Sequence, residues 1–172
     1  ARAFLKALLV GKIRVMRFSI PPEVKNVTKT LRTAGFEAHL VGGCVRDLAL
    51  GKTPKDWDVT TNATPEVIQK LFPDTFYENE YGTVGVVNEA ATDETLKVVE
   101  VTPYRTESAY SDKRCPDSVA FAKTLEEDLK RRDFTINALA YDDFSGELLD
   151  KHGGQNDLAE KLLAALIDPR GI

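Results

Sequence analysis

The sequence predicts an α/β (α+β) fold, a small mixed β-sheet with flanking helices. Two observations carry this. Apolar residues recur at helical spacing in some stretches, as at Val24, Val27 and Leu31, whereas Thr83 to Val87 and Leu96 to Val101 are short β-branched runs. A third bounds the size: 172 residues suit one domain, with room for a short trailing piece.

In chain order, Pro21-Pro22 punctuates the opening segment and starts a helix that Gly35 closes from the C′ position. A short strand, His39-Leu40-Val41, runs into Gly42-Gly43, and Val45 to Leu50 predicts a brief helix ended by Gly51. Trp57 to Thr60 reads as a second strand. Thr64-Pro65-Glu66 starts another helix, with Thr64 as N-cap and Pro65 at the first helical position, and it stops before Pro73. The two β-branched runs, separated by a polar turn around Ala91 to Glu94, predict a hairpin. Pro103 to Ser118 is polar and aperiodic and reads as a mobile loop. Leu125 to Ala140 predicts helix in two pieces broken near Arg131, and a last helix is expected over Asp157 to Ile167.

Composition narrows the function classes. The apolar fraction is 42% and charges of both signs are present, as in a globular protein, and no apolar run approaches the roughly 20 residues of a membrane helix. No membrane partner is therefore expected. Cys44 and Cys115 stand far apart, without zinc-ligand spacing, which points to a reducing, cytoplasmic setting. The net charge of −4 does not exclude a nucleic-acid partner, because binding depends on local basic surface. Residues 1–20 form a basic extension with Arg2, Lys6, Lys12, Arg14 and Arg17 and no acid, which leaves organellar targeting open.

Four places could carry chemistry. Asp56 and Asp58 flank Trp57, and in a strand residues two apart share a face, where paired carboxylates suit Mg²⁺; a solvated strand end is the plainer reading. Gly42-Gly43, between strand and helix, lets the backbone approach a phosphate, with Arg46 within reach, or is an ordinary turn. Glu100 interrupts the apolar run Val98 to Val101, so it either meets a cation or faces water from an edge strand. Arg131 and Arg132, read as entering a helix, could hold phosphates or a base, with Asp133 pinning one of them and Asn137 one turn on; a solvated charged helix start competes.

Taken in order, LVGGCVRD, KDWDVTT, VEVTPYRTE, EEDLKRRDFTINALAYD and DKHGGQNDL resemble the head of class II tRNA nucleotidyltransferases, the CCA-adding enzymes and related bacterial poly(A) polymerases. The resemblance spans about 20–158 and implies the polymerase β-like nucleotidyltransferase fold. It implies that Asp56 and Asp58 bind catalytic Mg²⁺ with Glu100 as third carboxylate. It implies further that Gly42, Gly43, Arg46, Arg131, Arg132, Asp133 and Asn137 contact the nucleotide. The implied activity is template-independent transfer from CTP and ATP to the 3′ end of tRNA. Tyr81-Gly82-Thr83-Val84 and Tyr104 to Asp112 look more like CCA-adding enzymes than poly(A) polymerases, and Tyr110 to Ser118 resembles a flexible element that helps switch from CTP to ATP. On this pattern 21–158 is the head, and 159–172 is the start of a truncated neck. A neck motif that selects the base, and a body that grips tRNA, are not seen. Leu162, Leu163 and Leu166 are then expected to be exposed where a neck packs, either forming a homo-oligomer contact or meeting a separate chain.

Overall fold

A computed structural model of the chain describes residues 16–78, 82–108 and 118–166. Helix α1 (Pro22–Thr33) buries Val24, Val27, Thr28 and Leu31, the stripe expected from their spacing, and Gly35 follows its end at φ 90°. Strand β1 (Ala38–Val41) leads into α2 (Gly43–Ala49), which starts two residues earlier than expected because Gly42 turns the chain at φ 76°. Then come β2 (Asp58–Thr61), α3 (Pro65–Leu71), β3 (Thr75–Tyr77), β4 (Val84–Val87) and β5 (Val98–Pro103). The second half holds β6 (Arg105–Ser108), β7 (Ser118–Phe121), α4 (Leu125–Lys130), β8 (Leu139–Asp142), β9 (Glu147–Asp150) and α5 (Gly154–Glu160).

Among the described residues the main sheet has seven strands in the order β3-β4-β5-β2-β1-β8-β9, and β6 and β7 form a separate ribbon. The β2–β5 pair is parallel and its neighbours β1–β2 and β4–β5 are antiparallel, so the sheet is mixed as predicted. Alternation along the strands separates two faces. Val59, Val84, Val86, Val99 and Val101 are buried on one face in a core with Val24, Val27 and Leu31 of α1 and Ile68 of α3. Burying each such side chain contributes roughly 1.5–3 kcal/mol. On the other face, a smaller cluster of Val41, Leu129 and Ala140 seats α4. That helix begins with a capping box in which Thr124 and Glu127 bond reciprocally.

Several expectations are corrected. Strand β2 begins at Asp58, so Asp56 lies in the bend before it and does not share the strand's pleat. Short β3 was invisible to periodicity, and the expected loop opens with β6, which pairs with β7. Tyr81 and residues 109–117, with Cys115, lie outside the described residues.

The helix expected over 125–140 is α only to Lys130. After it Phe134 is extended, Thr135–Asn137 forms a 3-10 turn, and the chain enters β8. The cause is tertiary. Thr135 N–H donates to the Ala164 carbonyl and Leu166 N–H to the Asp133 carbonyl, so a returning segment takes the bonds a helix would use. Helix α5 likewise starts before Asp157, where the Asp150 carboxylate accepts from Gly154 and Gln155 N–H, and it ends at Lys161, whose φ is 59°. Leu162 and Leu163 are exposed as expected, whereas Leu166 is half-buried.

Candidate active site

The C-terminal end of β1, the N-terminal end of β2 and the turn before β8 meet at one point. A methyl placed on Gly42 would stand 3.0 Å from Arg132 Nη1, 3.8 Å from Asp58 Oδ2 and 4.0 Å from the Asn137 carbonyl oxygen. Glycine is required there twice over, by the close approach and by a backbone at φ 76°, ψ −136°. At Gly43 the same test meets Arg46 Nη2 at 3.6 Å. The glycine turn, Arg46, Arg132, Asn137 and Asp58 therefore form one constellation.

Each guanidinium is aimed by partners. Arg46 donates from Nε to Asp47 Oδ1 at 3.0 Å and from Nη1 to Asn137 Oδ1 at 2.9 Å. Asn137 in turn donates to Asp133 Oδ1 at 3.2 Å. Asp133 thus braces Asn137, and among the described residues it pins no arginine, a correction to the sequence reading. Among the described residues, fully buried Asp128 holds both arginines. Its carboxylate accepts from Arg131 Nε at 2.9 Å, Thr60 Oγ1 at 3.1 Å and the Arg105 backbone N–H at 3.3 Å, and it pairs with Arg132 Nη2 at 3.6 Å. Arg131 and Arg132 leave α4 and do not enter a helix; the C-terminal dipole there favours positive charge. Burial pushes the Arg132 guanidinium below its usual value, and Asp128 opposes that shift.

Glu100 is not on an edge. β5 lies between β4 and β2, and the parallel ladder sets Glu100 opposite Asp58. The two carboxylates share the sheet face that carries α4. Burial raises Asp58 above the usual carboxylate range, with repulsion from Asp56 adding and Arg132 opposing. Burial also raises Glu100, followed by repulsion from Asp58, Glu78 and Asp56. Asp56 is therefore close enough to act on both, although it reaches the site from a bend.

Two half-buried carboxylates held above their normal range by burial and by neighbouring acids suit a divalent cation, which would relieve both effects. Among the described residues no group of three His, Cys, Asp or Glu side chains is arranged to hold a metal ion. Mg²⁺ commonly takes one or two carboxylates and completes its shell with substrate phosphates and water, so Asp56 and Asp58 fit that donor set. Behind them Cys44 is buried, its thiol pushed up to about 12 by burial and by Asp58, and it is no nucleophile.

The poly A polymerase head domain model matches residues 38–164. This chain belongs to that family. It is similar to the CCA-adding enzyme of Geobacillus kaustophilus (strain HTA426), 42% identical over 149 residues that make up 85% of this chain and 35% of the relative. Among solved structures it is similar to the Bacillus stearothermophilus CCA-adding enzyme in complex with CTP. There the TM-score is 0.71 and the identity 34%, over 86% of this chain and 34% of the other. A tRNA nucleotidyltransferase complexed with a primer tRNA and an incoming ATP analogue matches with TM-score 0.61 and 30% identity, over 82% and 39%. The chain spans about a third of the length of the curated relatives it matches. The head-domain fold implied by the motif order is thus the fold observed.

Sequence reasoning missed Asp128, Asp47, Glu78 and Thr60. Asp128 had a signal, since it stands three and four residues before Arg131 and Arg132, the spacing of helical ion pairs. Glu78 and Thr60 had none, because their roles depend on which strands neighbour theirs.

Proposed function

We propose that the chain carries the catalytic head of a nucleotidyltransferase that adds nucleotides from CTP and ATP, without a template, to the 3′ end of tRNA. The observation that carries this reading is the register of Asp58 with Glu100, beside a glycine turn that Arg132 and Asn137 line. The relatives named above, with CTP or with a primer tRNA and an ATP analogue, support the substrates.

In this reading Asp56 and Asp58 would hold Mg²⁺ with Glu100 beside them, and the metal would supply charge neutralisation and a more acidic primer hydroxyl. Gly42 and Gly43 let the triphosphate approach the backbone, and Arg46, Arg131 and Arg132 offset its charge, with Asp133 and Asn137 keeping Arg46 in place. The primer 3′-hydroxyl gives up its proton to solvent, and its oxygen forms a bond to the α-phosphorus as the bond to the leaving pyrophosphate breaks. The product is an RNA one nucleotide longer. Positioning accounts for most of what the protein contributes.

A poly(A) polymerase head is the second reading; the CCA-adding relatives weigh against it. It is distinguished by which nucleotide is added and whether addition stops after three. A non-catalytic RNA- or partner-binding module is less consistent with the retained carboxylate pair. These 172 residues alone are expected to bind tRNA weakly and to select bases poorly; tight, specific tRNA retention on a filter would contradict that. The deciding experiment is Mg²⁺-dependent incorporation of labelled CTP and ATP into a tRNA lacking its 3′ end. Asp56→Ala should abolish it, and equal signal from variant and wild type refutes the mechanism.

A further inference from the structure

We propose that the ring of Phe76 is the platform on which the 3′-terminal base of the RNA primer stacks. This rests on the function proposed above and assigns a residue to the acceptor side of the same site. Strand β3, short and at the sheet edge, pairs Phe76 with Gly85 of β4; Gly85 pairs with Glu100 of β5, and Glu100 with Asp58 of β2. Residues in register across a sheet share a face, so the four form one row on the face that carries the carboxylates. Phe76 is 41% exposed and lies across Gly85, for a methyl there would stand 2.5 Å from its Cζ and 2.7 Å from Cε1. It is the tip of the ring that covers Gly85, so the side chain points inward along the row, toward Glu100.

The geometry of displacement assigns the occupant. The groups suited to a triphosphate, Gly42, Arg46, Arg132 and Asn137, all lie on the β1 and β8 side of Asp58. Attacking and leaving oxygens are roughly in line across the transferred phosphorus. The attacking hydroxyl therefore arrives from the opposite side, over Glu100 and Gly85. At the usual strand spacing Gly85 is ~10 Å from the Asp58 strand, about the reach of a nucleoside from its 3′-oxygen to the far edge of its base. Glu78 and Glu100 make this side acidic, which disfavours a phosphate there, whereas a neutral aromatic face is what a base can use. Stacking tolerates any base, as an acceptor end that changes with each addition requires.

The test uses the full chain and a short RNA carrying 2-aminopurine as its 3′-terminal base, with CTP binding measured in parallel. Phe76→Leu keeps apolar bulk over Gly85 but removes the π-face. We expect it to raise the RNA half-saturation concentration about tenfold and to abolish the stacking quench of 2-aminopurine. CTP affinity should stay within about twofold, and Phe76→Trp should restore the quench, a rescue that a merely structural role would not produce. The inference is overturned if Phe76→Leu quenches and binds RNA as wild type does, or if CTP affinity falls in its place, which assigns the ring to the incoming base. Wild type that binds CTP without quenching the probe also overturns it and leaves the proposed function standing. Wild type that binds neither CTP nor RNA removes both.

Discussion

Replacing Asp128 by Asn tests the element on which the arginine side of the site is built. The carboxylate is fully buried and serves Thr60, the Arg105 N–H, Arg131 and Arg132 together. An amide of the same shape keeps one accepting oxygen and turns an NH₂ toward groups that are themselves donors. Removing one partner of a buried ion pair costs about 3–5 kcal/mol when the remaining charge has no water. The side chains of Arg131 and Arg132 keep 12% and 18% of their exposure, so the lower part of that range applies. We expect a loss of about 3–4 kcal/mol in urea unfolding, at neutral pH and low salt. In a domain of this size that corresponds to roughly 5–15 °C in Tm. Nucleotide affinity should fall as well, because the arginines lose their orientation. A variant within about 1 kcal/mol of wild type would refute the idea that Asp128 organises this corner.

Gly154→Ala should destabilise the fold severely, by several kcal/mol, since the new methyl would sit 2.3 Å from the Thr135 backbone oxygen and neither backbone can yield cheaply; a thermal scan showing an unchanged Tm would contradict the packing of α5 on the 3-10 turn. His39 is held below its usual pKa, first by burial and then by nearby Arg32. The folded protein therefore takes up this proton only at lower pH than the unfolded chain, which gains it near pH 6.5, so stability present above that pH is lost as the pH falls toward the native value. Urea midpoints at pH 7.5 and 5.5 should show wild type losing more than His39→Gln; an equal or smaller loss in wild type would reverse the sign of the argument.

Much of the site was legible before any coordinates. The stripe Val24, Val27 and Leu31, the Pro65 helix start and the Gly42-Gly43 turn are local features, set by side-chain spacing and by backbone freedom within a few residues. The order of motifs likewise sufficed to name the family. Where local signals competed with distant partners, they lost. Asp133 and Thr135 read as helix, yet the segment holding Ala164 and Leu166 takes their backbone bonds.

The sequence by itself determined which side chains were available for the chemistry: two acids around Trp57, one in a β-branched run, a glycine pair and an arginine pair. Only the tertiary structure decided that Glu100 stands beside Asp58, that Asp128 holds the arginines, and that Phe76 ends the carboxylate row. The physical reason is that strand register and sheet order arise from pairing between residues far apart in the chain. A shift of one residue in that pairing would turn every side chain to the opposite face.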